Sequence, residues 1–227
     1  MTDEPRAGTD EPRFVDGGSV GVTWLAHPAE TMERASHALT AADGVWLVDP
    51  LAADGVFDAI DGLGTVAGVV LLLDRHKRDS AAFARHYDVA VHVPRPLGDA
   101  ADELGAPVVP VADELGDSGY RPRPVVRNRL WREAALVSAD GTTAVVPEAL
   151  GTGEYYLAPG EDVGVHPALR PFPPRRALGD LDPERLLVGH GPPLLRGAGP
   201  AIRDALAGAR RRAPRVYWQA LAGLFRG

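Results

Sequence analysis

The chain has 227 residues, 45% of them hydrophobic, with 26 Gly, 21 Pro and no Cys. A chain this long can bury enough surface to fold without staples. The missing Cys excludes disulfides, thiolate metal sites and a Cys nucleophile, and the net charge of −7 argues against a broad grip on nucleic acid.

The chain opens on a repeated polar unit, Thr2-Asp3-Glu4-Pro5-Arg6 and Thr9-Asp10-Glu11-Pro12-Arg13. Residues 1–17 are expected to form a disordered acidic tail, and residues 18–227 a single domain. No signal-type apolar stretch is visible. The longest apolar run, Val66 to Leu73, is far short of the roughly 20 residues that span a bilayer. A cytoplasmic protein is expected.

Residues 19–25 alternate apolar with small or polar side chains and predict a strand. Residues 28–41 place Met32, Ala35 and Leu39 at helical spacing and predict a helix. Asp43-Gly44 marks a turn, residues 45–48 a buried strand ended by Asp49-Pro50, and residues 53–60 a weak helix. The run 66–73 reads as a strand buried on both faces, 80–86 as a helix and 89–93 as a strand. The first half is therefore layered α/β. Further strands are predicted at 108–111, 125–129, 134–138 and 142–146, with Asp140-Gly141 as a hairpin turn. Residues 154–183 read as an irregular Pro-rich excursion and 186–188 as a late strand. Two helices, 198–212 and 216–225, are expected on either side of Pro214.

Two strand ends carry chemistry. Asp74-Arg75-His76-Lys77-Arg78-Asp79-Ser80 follows the longest apolar run, at the edge where layered α/β folds bind ligands. Gly189-His190-Gly191 follows the late strand, and glycines there let the backbone approach closely and leave the imidazole open. In that position His190 is expected to contribute little packing. His76 and His190 form a candidate pair of metal ligands. His86 and His92 read as structural, His27 as a cap before Pro28, and His37 and His166 have no visible context. No G-x-S-x-G, phosphate-loop or H-E-x-x-H motif is present.

The order of these pieces resembles the metallo-β-lactamase fold superfamily. Val45-Trp-Leu-Val-Asp49-Pro50 is similar to its strand ending in Asp-Pro. Val69 to Leu73 with the following turn resembles the strand before the His-x-His-x-Asp-His signature. Val89-Ala-Val-His-Val-Pro94, Thr142 to Leu150 and Leu186-Leu-Val-Gly-His190-Gly-Pro-Pro193 resemble its later strands. The resemblance implies a four-layer αββα sandwich, with helices outside two β-rich halves.

The departures concern the ligands that the resemblance implies. With Asp79 at the signature's Asp, Ser80 replaces the final His and His76 falls one residue out of register. With His76 at the second His, Asp74 takes the first His position and Arg78 the Asp position. The family's middle His has no counterpart in residues 128–133, and Pro147-Glu148 stands where the bridging Asp belongs. The ligand set is then His76, Asp79, Glu148 and His190, with Asp74 as a spare and Asp79 as ligand or base. Arg75, Lys77 and Arg78 crowd the same turn. Two unit charges about 4 Å apart repel by roughly 4 kcal/mol at an effective dielectric of 20. The site is expected to hold no metal or a single divalent ion, zinc by its donors.

Three functions fit. The first is a diverged family member without a complete two-metal site, non-catalytic or weakly active, keeping a pocket for a small molecule. The second is a single-metal hydrolase of an ester, thioester, lactam or phosphoester. The third is a metal-free anion site of Arg75, Lys77 and Arg78. Residues 203–227 hold six Arg and one Asp, with Val216, Tyr217, Ala220, Leu221, Leu224 and Phe225 on one helical face. That face is expected to pack on the protein itself, with contact to a membrane surface as the alternative.

Overall fold

The computed structural model describes residues 11–101 and 104–224. The first copy of the N-terminal repeat and Phe225 lie outside them. Two strands show how the layers arise. β4 (Gly44–Val48) and β5 (Val66–Val70) are apolar throughout, because both of their faces are covered. Val45, Leu47, Val69 and Leu71 point one way, to Val56 and Ile60 of α1 (Val56–Asp61) and to Phe83 and Ala84 of α2 (Ser80–His86). Trp46, Val48, Val70 and Leu72 point the other way, to Leu136, Val145 and Leu187 of a second sheet.

That second sheet repeats the arrangement. Ala144 and Val146 of β10 (Thr143–Val146) and Leu186 and Val188 of β13 (Arg185–Val188) face Ile202, Ala205, Leu206 and Ala209 of α4 (Ala198–Leu224). Three apolar cores thus separate four layers: helices, sheet, sheet, helix. This is the αββα sandwich, an α/β fold.

In the larger sheet, β1 (Arg13–Asp16), β2 (Gly21–Leu25), β3 (Ala35–Ala41) and β4 pair antiparallel in chain order. They continue into the parallel strands β5, β6 (Val91–Pro94) and β7 (Val108–Val111). The smaller sheet has the order β13-β10-β9-β8, with β8 (Tyr120–Arg127) and β9 (Arg132–Ser138). Only β10 and β13 are parallel in it. β11 (Leu150–Gly151) and β12 (Gly164–Val165) form a short separate pair, and α3 (Arg175–Leu178) follows. Among the described residues no helix is long and apolar enough to cross a membrane.

Several predicted elements change. The helix expected over 28–41 is instead a run of turns followed by β3, whose Ala38 and Leu39 enter opposite cores. The Met32–Ala35–Leu39 spacing satisfied a helical period, but pairing with β2 and β4 outweighs that weak preference. Residues 13–16, assigned to the tail, are the edge strand β1. The strand expected at 125–129 begins five residues earlier, at Tyr120. α4 runs through Pro214 without dividing, and Pro214 is exposed. The carbonyl left without its helical donor there can face water. The buried face of α4 extends to Val216, while Tyr217 and Leu221 beyond it are exposed. The Asp140-Gly141 turn forms as expected. Gly141 has φ 71° and donates to the Ser138 carbonyl, and the Asp140 carboxylate accepts from Thr142 N–H and Ser138 O–H.

Candidate functional site

Four loops meet at one edge of the sandwich, each at the C-terminal end of a strand with a parallel neighbour: Asp49 after β4, His76 after β5, Glu148 after β10 and His190 after β13. Gly189 permits the closest approach. A Cβ there would lie 2.1 Å from the Pro147 carbonyl oxygen and 3.1 Å from the His76 ring. Gly191 has φ 96°, and a Cβ would meet the Gly153 nitrogen at 2.1 Å. The glycines around His190 therefore serve close packing. His190 is 4% exposed, which corrects the expectation of an open side chain.

The two imidazoles are oriented from behind. His190 Nδ1 lies 2.8 Å from the Met32 carbonyl oxygen, which can only accept, so Nδ1 carries the proton and Nε2 presents its lone pair. That Nε2 is buried and has no partner. His76 Nδ1 faces the Asp49 carboxylate at 3.2 Å, and Asp49 also accepts from Leu72 N–H. The rings of His76 and His190 are 5.4 Å apart. Donor atoms of His76, Glu148 and His190 all lie within 4.8 Å of one another, and all three residues are buried. Burial, followed by neighbouring positive charge, lowers the His76 pKa well below its ordinary value and that of His190 to about 3. Both rings are neutral at neutral pH, the form that ligates metal.

Glu148 is held by its surroundings. Its backbone N–H and that of Ala149 donate to the Glu133 carboxylate at 3.0 and 2.8 Å, and Trp131 Nε1 donates to the same carboxylate at 2.7 Å. Burial pushes Glu133 up to about 7. The Glu148 carboxylate pairs with Arg75 at 3.2 Å and lies 3.5 Å from His166 Nε2. Burial raises its pKa, and Arg75 opposes that rise. His166 Nδ1 accepts from Ala168 N–H, so in the neutral ring Nε2 bears the proton and faces Glu148 as a donor. The Arg75 guanidinium lies 4.5 Å over the Trp131 ring. Tyr156 stacks on His190 at 5.6 Å, and its buried hydroxyl has no partner. Its pKa is well above the ordinary value through burial and the nearby carboxylates of Glu148 and Glu133.

Of the other expected site residues, Asp79, Asp74 and Lys77 turn to other partners. The Asp79 carboxylate accepts from Ala52 N–H at 2.8 Å, and Asp79 is not among the three donors. Asp74 accepts from Arg132 N–H at 3.0 Å. Lys77 lends its carbonyl to Ser80 N–H at the start of α2. Arg78 turns inward against the donors, whereas Arg75 is 43% exposed. His37 is structural, between Thr23 Oγ1 at 2.8 Å and the Val188 carbonyl at 3.1 Å.

The residues fit a metal ion. Two neutral imidazoles with fixed tautomers and one carboxylate form a recognised zinc donor set, and the partners behind the His rings are those such ligands require. The buried Nε2 of His190, which has no hydrogen-bond partner, leaves a lone pair open to such an ion. His166, Glu133 and Tyr156 were not legible as site residues. The paths that bring them here follow no local pattern.

No family model matches this sequence, and no curated protein sequence matches it. Solved structures match its shape. The first 254 residues of a protein described as diflavin flavoprotein A 5, from Nostoc sp. PCC 7120, superpose with a TM-score of 0.63 at 12% identity, covering 90% of this chain and 98% of that one. The metallo-β-lactamase DIM-1 gives 0.60 at 9% identity, covering 90% and 97%. A metallo-β-lactamase from Hirschia baltica gives 0.51 at 13%, covering 88% and 98%. The fold is that of the metallo-β-lactamases. Within this metallo-β-lactamase fold, each sheet contributes to the donor group: His76 comes from the seven-stranded sheet, Glu148 and His190 from the four-stranded one.

Proposed function

We propose that this chain is a diverged member of the metallo-β-lactamase superfamily that holds one divalent ion, zinc by its donors, and acts as a weak single-metal hydrolase. The observation that carries the reading is the His190 imidazole, with its Nδ1 fixed on the Met32 carbonyl and its buried Nε2 unpartnered beside His76 and Glu148. Bound there, a divalent ion would polarise a carbonyl or phosphoryl oxygen and bring the pKa of a bound water to about 7.

The chain's own groups supply the rest. His76 and His190 would bind through Nε2, and Asp49 and the Met32 carbonyl hold their rings. The Tyr156 hydroxyl keeps its proton at neutral pH and offers it as a hydrogen bond. Arg75, exposed and stacked on Trp131, meets an anionic group of the substrate. Asp79 is not proposed as base, because its carboxylate is turned to Ala52.

The test is elemental analysis of chelator-free protein, followed by assays on ester, thioester and lactam substrates. About one zinc per chain is expected, together with slow turnover that a chelator abolishes. Two ions or none, or turnover indifferent to chelator, overturns the proposal.

A further inference from the structure

Arg78 stands two residues beyond His76, in a left-handed backbone conformation with φ 42°. Its guanidinium is enclosed by the same loops that carry the site. One terminal nitrogen donates to the carbonyls of Ala35 at 2.6 Å and Asp49 at 3.0 Å, and to Ser36 Oγ at 3.3 Å. The other donates to the Gly189 carbonyl at 3.2 Å and lies 3.5 Å from His76 Nε2, the atom that faces Glu148. Its Nε is buried and has no partner. A full positive charge is thus fixed among the oxygens that surround the donor group.

The neighbouring charges match that placement. Burial lowers Arg78 to about 10, while the carboxylates of Asp49 and Glu148 pull it back up, so it stays charged at neutral pH. Arg78 in turn opposes the rise of Asp49 and adds to the lowering of His76 and His190. A resident cation and an incoming one draw on the same carboxylates.

We infer that Arg78 is a built-in cation that stands against the donors, holds the ion-free site together and weakens the binding of a metal ion there. The inference rests on His76, Glu148 and His190 being ligands, and it makes Arg78 the residue that sets metal affinity.

Zinc titration of the full chain against a chromogenic chelator tests it, on the wild type and on Arg78→Gln, Arg78→Met and Arg78→Lys. Gln keeps an amide donor without charge, Met keeps only the stem, and Lys keeps the charge. Zinc should bind at least tenfold tighter to the Gln and Met variants and within threefold of wild type to Lys. Equal affinity in wild type, Gln and Met overturns the inference while leaving the single-ion function intact. A wild type that binds no zinc, beside a Met variant that binds it, overturns that function and supports the inference. If Arg78→Gln is unfolded without metal, added zinc should restore its melting transition. Failure to restore it would show a plain carbonyl clamp and overturn the inference.

Discussion

His190 joins packing to chemistry in one side chain. Its ring lies against Tyr156, its Nδ1–H satisfies the Met32 carbonyl and its Nε2 faces the other donors. Replacing it by Ala removes the ring contact and leaves the half-buried Met32 carbonyl without its donor. His190→Ala should therefore cost about 2 kcal/mol in metal-free protein, read from urea unfolding, and abolish zinc uptake. A cost below about 0.5 kcal/mol would mean the residue is open after all. The legibility of the site divides at this scale. His76, Glu148 and His190 end strands, so apolar runs announced them. For Asp79 the sequence leaves a one-residue register open, and only the bond from Ala52 N–H shows which way its carboxylate turns. His166 reaches Glu148 from a Pro-rich stretch whose path depends on what it crosses. Trp131 and Glu133 act through the Glu148 backbone, a relation with no sequence period.

At the scale of elements, the excursion between β11 and α3 is pinned by buried charge. Arg170 and Glu161, both without exposed side-chain surface, pair at 2.6 Å, and Arg212 of α4 reaches the same carboxylate at 3.2 Å. Arg170 also donates to the carbonyls of Tyr156 and Val165 at 2.6 and 3.1 Å. The pair thereby sets where Tyr156 lies against His190. Arg170→Leu leaves the carboxylate to Arg212 and the Ala158 N–H and frees two buried carbonyls. It should cost about 3–5 kcal/mol in denaturant unfolding and reduce zinc affinity, although Arg170 is no ligand. Unchanged stability would show that the excursion is held by its apolar contacts instead. This anchor was invisible in the sequence, because Arg and Glu nine positions apart outside a helix imply no contact. The strands were plain where both faces are covered, as in β4, β5 and β13, and obscure in β3, where Ala and small polar residues suit either period.

For the whole molecule, the buried ionisable groups set a pH dependence. His37 and His190 are lowered to about 3 and His166 to about 4, each mainly by burial, and His76 moves the same way. Below the unfolded value near 6.5 the unfolded chain takes up protons at these rings that the folded chain refuses, so stability is lost as pH falls. Asp49 and Glu133, raised to about 7 by burial, act oppositely: folded, they hold protons between about 4 and 7 that the unfolded chain has released. His92 is lowered as well and Glu148 raised, so five rings stand against three carboxyls. Metal-free protein should gain stability from about pH 4.5 to 6.5, by about 1.4 kcal/mol per pH unit for each net proton, and level off above 7. Urea midpoints across pH 4.5–8 measure this. A midpoint that falls from pH 4.5 to 6.5 would mean that the carboxyls dominate.

The way His190 is stitched in has a kinetic consequence. Its backbone bridges Arg34, Ala35 N–H donates to the Gly189 carbonyl and Gly191 N–H to the Glu33 carbonyl, so the last loop of the smaller sheet is sewn to the entry of a strand in the larger. These links join the first fifth of the chain to its last fifth, and closing so long a loop is entropically slow. The donor group then exists only after both sheets have folded and docked, so ligation of an ion there would belong to the last step of folding rather than to its nucleus. An ion bound there would act as a latch on a finished sandwich: it would slow opening and leave the rate of folding almost untouched.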